Sequence, residues 1–147
     1  MPHSLQLIGP ILALITWTMV MWLWMYATRL PAMSAAGIKP DPQAPNGVQM
    51  AQLPARVRWK ADNYNHLLEQ PVLFYALVLA LVFLGVQSPT ALMLAWAYVA
   101  LRVVHSLWQA LSNIIEVRFV LFVLSNIPLI ALLYIAITAF LALPSAA

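Results

Sequence analysis

Four long apolar runs separated by polar breaks organise the chain. A run of about 20 apolar residues is long enough to cross the hydrocarbon of a bilayer as a helix. The first covers about residues 5–26. It ends among Trp22, Trp24 and Tyr26, aromatics that suit the headgroup level, with Arg29 just beyond. Residues 30–53 are polar, and Pro31, Pro40, Pro42, Pro45 and Asn46-Gly47 predict a connection there instead of a helix. Loops this long are uncommon unless they cover a site or move. The second span, about 54–85, opens at Pro54, where proline suits a first helical turn. Its first two turns carry Arg56, Arg58 and Lys60 and are too polar for lipid. After the link Val86-Gln87-Ser88, the third span covers about 89–113 and the fourth about 117–143. Pro71 and Pro128 each predict a kink, because proline removes one backbone hydrogen bond. The pattern predicts one all-α domain over 1–147, an integral membrane four-helix bundle. The start, Met1-Pro2-His3-Ser4, lacks the basic stretch of a secretory signal, so the first run is expected to be retained as a span.

Polar positions inside these runs carry the chemistry. The third span holds Arg102, His105, Ser106, Gln109 and Asn113 at helical spacing. An ionised side chain within a bilayer costs several kcal/mol on insertion scales, so its default meaning is a functional site with a partner nearby. At a rise of about 1.5 Å per residue, Arg102 lies roughly 20 Å in from the 86–89 link, and His105 roughly 24 Å. Glu69 on the second span is also roughly 24 Å in. All three then fall in one third of a core about 30 Å thick. Glu69 is the one acid at that depth, so an Arg102–Glu69 or His105–Glu69 contact is expected. Asp62, Asn65, His66 and Glu69 form the facing stripe on the second span, and Arg118 lies at the same end. Together these residues outline a polar cavity with cationic groups suited to a small anion. The alternative is that such residues only join helices: Ser106, Asn65 and Asn126 fit that role, and Arg102 with Glu69 could be a structural ion pair. His66, Glu69 and His105 do not complete a usual metal-ligand set, and no metal is expected.

Composition agrees and adds orientation. Of 147 residues, 64% are apolar and 7% charged, where a soluble domain carries roughly a quarter charged. The chain has no cysteine, which excludes a disulfide framework, a thiolate nucleophile and a thiolate metal site. A net charge of +3 without clustering leaves no nucleic-acid footprint. The 7 basic residues are Arg29, Lys39, Arg56, Arg58, Lys60, Arg102 and Arg118, with none in the 86–90 link or at either end of the chain. The positive-inside rule therefore places the 30–53 loop and the 113–117 turn in the cytoplasm and both termini outside.

Two blocks of the sequence resemble the MAPEG family, the membrane-associated proteins of eicosanoid and glutathione metabolism. One is A-D-N-Y-N-H-L-L-E-Q-P-V-L-F-Y-A-L on the second span, similar to the family's asparagine-rich segment ending in Glu with a nearby Pro and Phe. The other runs from Arg102 to Pro128 and resembles an R-x-x-H block followed by a later arginine and proline. The four spans and long first loop agree with the family over most of the chain. The resemblance implies a homotrimer with glutathione bound as co-substrate in cytoplasm-facing clefts between protomers. It implies glutathione contacts from Glu69, Arg102 and His105, with Asn65, His66 and Gln109 at or beside further contact positions. It implies that Arg118 stabilises the glutathione thiolate as the catalytic residue, since a cation beside a thiol favours the nucleophilic form.

The implied activity is a glutathione-dependent transferase or peroxidase acting on a small lipophilic electrophile that enters from membrane lipid. The sequence departs from the family at several of these positions. Asp62 stands where the family has an arginine, and His66 where it has an asparagine. Gln109 and Phe122 stand at tyrosine positions, and the Glu-to-Pro spacing is one residue shorter. These differences are closer to a bacterial branch than to the eicosanoid enzymes, which implies a bacterial inner membrane. They also keep a second function open: a non-catalytic protein of the same fold that binds another small anion or lipid, or an assembly subunit of a larger membrane complex. A transporter fits least, because no internal repeat is evident.

Overall fold

The computed structural model describes residues 3–144, so both ends of the chain, to which the sequence assigns the outer face, lie outside the described residues. Among the described residues every regular element is helical. A short 3-10 turn, His3–Leu7, leads into α1, Ile8–Ala35. A one-turn α2, Val48–Ala51, lies within the first loop. Then follow α3, Ala55–Leu67, and α4, Pro71–Phe83. The last two helices are α5, Pro89–Leu111, and α6, Ile115–Leu141. The stretches Ser4–Ala35, Ala55–Phe83, Pro89–Leu111 and Ile115–Leu141 are each long and apolar enough to cross a membrane.

Two elements differ from the sequence expectation. The first helix does not stop near Tyr26 but continues through Pro31 to Ala35. One proline removes only one donor, and the Ala, Leu and Met residues around it favour helix. The helix stops at Gly37, whose positive φ of 63° lets Gly37 N–H reach Ser34 O and Ile38 N–H reach Met33 O. The second span is not a kinked helix but two helices. Pro71 has no N–H to offer Leu67 O, and residues 68–70 turn with i→i−3 bonds such as Leu68 N to Asn65 O, 2.9 Å. Pro71 then serves as the first residue of α4. Pro128, by contrast, sits within an unbroken α6.

Helix α5 is the centre of the bundle and packs against α1, α3 and α6. Ala91, Ala95, Tyr98, Arg102, His105, Ser106 and Gln109 form one buried face along its length. The small residues at its start permit close helix approach. Tyr98 stacks on Phe74 of α4 with ring centroids 4.4 Å apart. Leu14, Met21, Leu67, Val78, Leu81 and Leu132 complete the core. The outward surfaces are apolar, with Phe83, Ile115, Phe119, Tyr134 and Phe140 among the most exposed. In a membrane protein these face lipid or a neighbouring copy.

Candidate functional site

The break between α3 and α4 decides which side chains meet. Arg102 is 0% exposed, and its guanidinium donates to Gln70 Oε1 at 3.1 Å and to the carbonyl of His66 at 3.2 Å. The expected Arg102–Glu69 or His105–Glu69 contact does not form. The turn at 68–70 swings Glu69 outward, leaving its side chain 69% exposed, and it pairs instead with His66 Nδ1 at 3.1 Å. Gln70, the next residue, takes the inward position. Its amide also donates to Asn126 Oδ1 on α6, and the Asn126 amide donates to Phe122 O at 2.8 Å. Three helices and the turn are thus joined through Arg102.

The inward polar face of α3 is also shifted by one residue. Asn63 is fully buried and donates to Ser106 Oγ at 2.7 Å, where Trp17 Nε1 of α1 donates as well, at 2.9 Å. Lys60 is buried too, and its ammonium donates to Arg56 O at 2.7 Å and lies 5.2 Å from the centre of the Trp24 ring. Asp62 and Asn65, expected to face inward, are exposed or nearly so and line a separate cleft of about 310 Å³ with Arg29 and Arg58. The segment W-K-A-D-N-Y-N-H is polar almost all round, so it offers no apolar stripe from which to read the buried side. Gln70 carried one usable signal: it falls seven residues after Asn63, on the same side of an ideal helix.

One cavity gathers most of the remaining residues. Its volume is about 350 Å³, and His66, His105, Ile115, Arg118, Phe119 and Phe122 line it. The rings of His66 and His105 lie 5.1 Å apart, and the Phe122 ring lies 5.7 Å from His66 and 5.9 Å from the Arg102 guanidinium carbon. Arg118 reaches the cavity from the first turn of α6, held by a 2.6 Å bond from its guanidinium to Asn113 Oδ1. Asn113 closes α5 in the left-handed region, φ 54°, with its own N–H on Trp108 O at 2.8 Å.

The polar atoms around this cavity are short of partners. His66 Nε2, Arg102 Nε, His105 Nδ1 and Arg118 Nε are all buried and accept or donate no hydrogen bond within the protein. Buried polar groups are nearly always satisfied, so four such atoms in one region mark a place for a polar ligand or ordered water. Gln109 is buried one turn from His105, and its Oε1 is also unpartnered. Within the chain, therefore, His66, His105 and Arg118 share the cavity, Arg102 lies beside it, Glu69 is paired with His66, and Asn65 lines the separate cleft.

The family model described as "MAPEG family" matches residues 7–138, nearly the whole chain. No curated protein and no solved structure gives a significant match.

Proposed function

The chain belongs to the MAPEG family, and from that premise we propose that it is a glutathione-dependent membrane transferase or peroxidase acting on a lipophilic electrophile. The family includes glutathione-dependent transferases. The observation that carries the proposal is the set of unpartnered buried nitrogens in or beside one cavity, two of them on arginines. Glutathione is an anionic peptide with several acceptor oxygens, and the residues present fit it. When bound, it supplies the sulfur nucleophile that a chain without cysteine lacks.

In this proposal Arg118 favours the thiolate by placing a fixed positive charge beside the sulfur. Arg102 Nε and His105 Nδ1 hold polar groups of the peptide, with Gln109 and Glu69 at the edges. Ile115, Phe119 and Phe122 give the apolar wall along which an electrophile arrives from lipid. Asn65, Arg29 and Asp62 lie outside this cavity in a single protomer, so a role for Asn65 rests on a neighbouring copy. We place the protein as a homotrimer in a bacterial inner membrane, with the 113–117 turn and the Arg118 end facing the cytoplasm. Native mass spectrometry of the solubilised protein weighs the trimer directly.

The test is calorimetry on the purified protein. Millimolar glutathione should give a saturable heat, and Arg118→Ala should weaken binding or thiolate formation by at least about tenfold, the loss of one charge-assisted contact. Absence of any heat in the unaltered protein sinks the proposal. One observation favours the alternative of a non-catalytic binding or assembly protein: Arg102 is fully buried and already joins three helices through Gln70 and Asn126. A protein whose polar interior serves assembly alone gives no heat with glutathione.

A further inference from the structure

We infer that His66 is the general base that removes the thiol proton, with Glu69 as the group that orients it and stabilises its charge. This rests on the proposed glutathione chemistry and adds a catalytic residue to it. The residue stands where the family resemblance places an asparagine, which has no basic atom to offer.

The geometry carries the assignment. An ionised carboxylate has no proton to donate, so the 3.1 Å contact between His66 Nδ1 and Glu69 Oε2 requires the hydrogen to be on Nδ1. A neutral imidazole with its hydrogen on Nδ1 carries its lone pair on Nε2. That atom is buried and has no partner in the protein. The ring forms one wall of the cavity that Arg118 also lines. The imidazole and a fixed cation therefore line the same space. Glu69 completes the arrangement as the carboxylate does in a nucleophile–histidine–carboxylate site: it fixes the tautomer and stabilises the imidazolium. Its side chain is exposed, so the carboxylate stays in contact with water while it holds Nδ1–H.

The step balances without a further reactant. The S–H bond breaks as the Nε2–H bond forms, and the electron pair stays on sulfur beside Arg118. The imidazolium keeps Nδ1–H against the Glu69 carboxylate and gives the Nε2 proton to water, which restores the starting tautomer. Forming the imidazolium near Arg102 and Arg118 is unfavourable by itself. The thiolate made in the same step is the compensating negative charge. His105 from α5 is the other titratable group on the same space. The one charged residue of α1, Arg29, bonds Met50 and lines the other cleft, and α4 contributes no charged side chain.

The test uses the full-length protein in detergent or nanodiscs, with His66→Asn and Glu69→Gln. Nitrogen NMR of histidine-labelled, ligand-free protein should show His66 with a protonated Nδ1 and an unprotonated Nε2. On mixing with glutathione, rapid proton release and thiolate absorbance should appear in the unaltered protein. In His66→Asn the rate of that release should fall by about 10²–10⁴-fold, a larger factor than the accompanying change in calorimetric affinity. Added imidazole should restore part of the rate in His66→Asn and none of it in Arg118→Ala. Glu69→Gln should keep the contact, lose the carboxylate, and slow release by a smaller factor.

Thiolate formation at an undiminished rate in His66→Asn overturns the assignment while leaving glutathione binding intact. The opposite tautomer in the NMR spectrum overturns it as well. Absence of glutathione binding in the unaltered protein removes the proposed function, and the role of His66 with it.

Discussion

Arg102 has no carboxylate partner, and it meets that lack with two neutral oxygens, Gln70 Oε1 and the His66 carbonyl. The energetic consequence differs between neighbours in sequence. Gln70→Leu leaves a buried guanidinium short of an acceptor and Asn126 short of a donor. It should cost about 2 kcal/mol or more, read as a lower melting temperature in detergent. Glu69→Gln, at an exposed side chain, should change stability by less than about 0.5 kcal/mol. Equal losses in the two variants would restore the Arg102–Glu69 ion pair that depth alone suggests. Depth was legible in the sequence, and it brings Arg102, His105 and the 66–70 region together. It cannot choose between Glu69 and Gln70, which differ by about 1.5 Å along a helix axis. Direction around the axis makes that choice, and the turn at 68–70 resets it.

The same limit governs the elements. The four spans follow from apolar run length, which is a property of composition, and their existence is therefore plain from the sequence. Their ends follow from single backbone bonds, which composition does not report. Pro71 splits a helix, Pro31 does not end one, and Asn113 ends α5 without glycine. That last turn gives a prediction of its own. Asn113→Gly keeps the left-handed conformation and should leave stability nearly unchanged, while freeing Arg118 from its 2.6 Å tether. Asn113→Val places a β-branched residue at φ 54° and should cost at least about 1–2 kcal/mol in thermal unfolding. A valine variant as stable as the glycine variant would mean that the turn is not strained as described.

For the whole molecule, the basic residues gather at one end of the bundle and the 84–88 link at the other carries none. The proposed cytoplasmic placement of the site depends on that asymmetry. The absence of cysteine makes it simple to check, since each introduced thiol is the one thiol in the protein. In intact spheroplasts, an impermeant maleimide should label Gln87→Cys, and should label Gln43→Cys only after lysis. The reverse pattern would turn the proposed orientation over. The family follows from two sequence blocks and the span pattern. The cavity does not, because it is built by α3, α5 and α6 meeting at the broken turn, residues far apart in the chain.

That broken turn has one more effect. A helix that stops inside a membrane exposes the partial negative charge of its last carbonyls, equivalent to roughly half an elementary charge. His66 O belongs to the final turn of α3, and Arg102 is bonded to it. The severed end of α3 thus acts as the counter-ion that no side chain provides. With the arginine balanced by backbone dipoles, the sole acid at this depth, Glu69, is not committed to holding the bundle together.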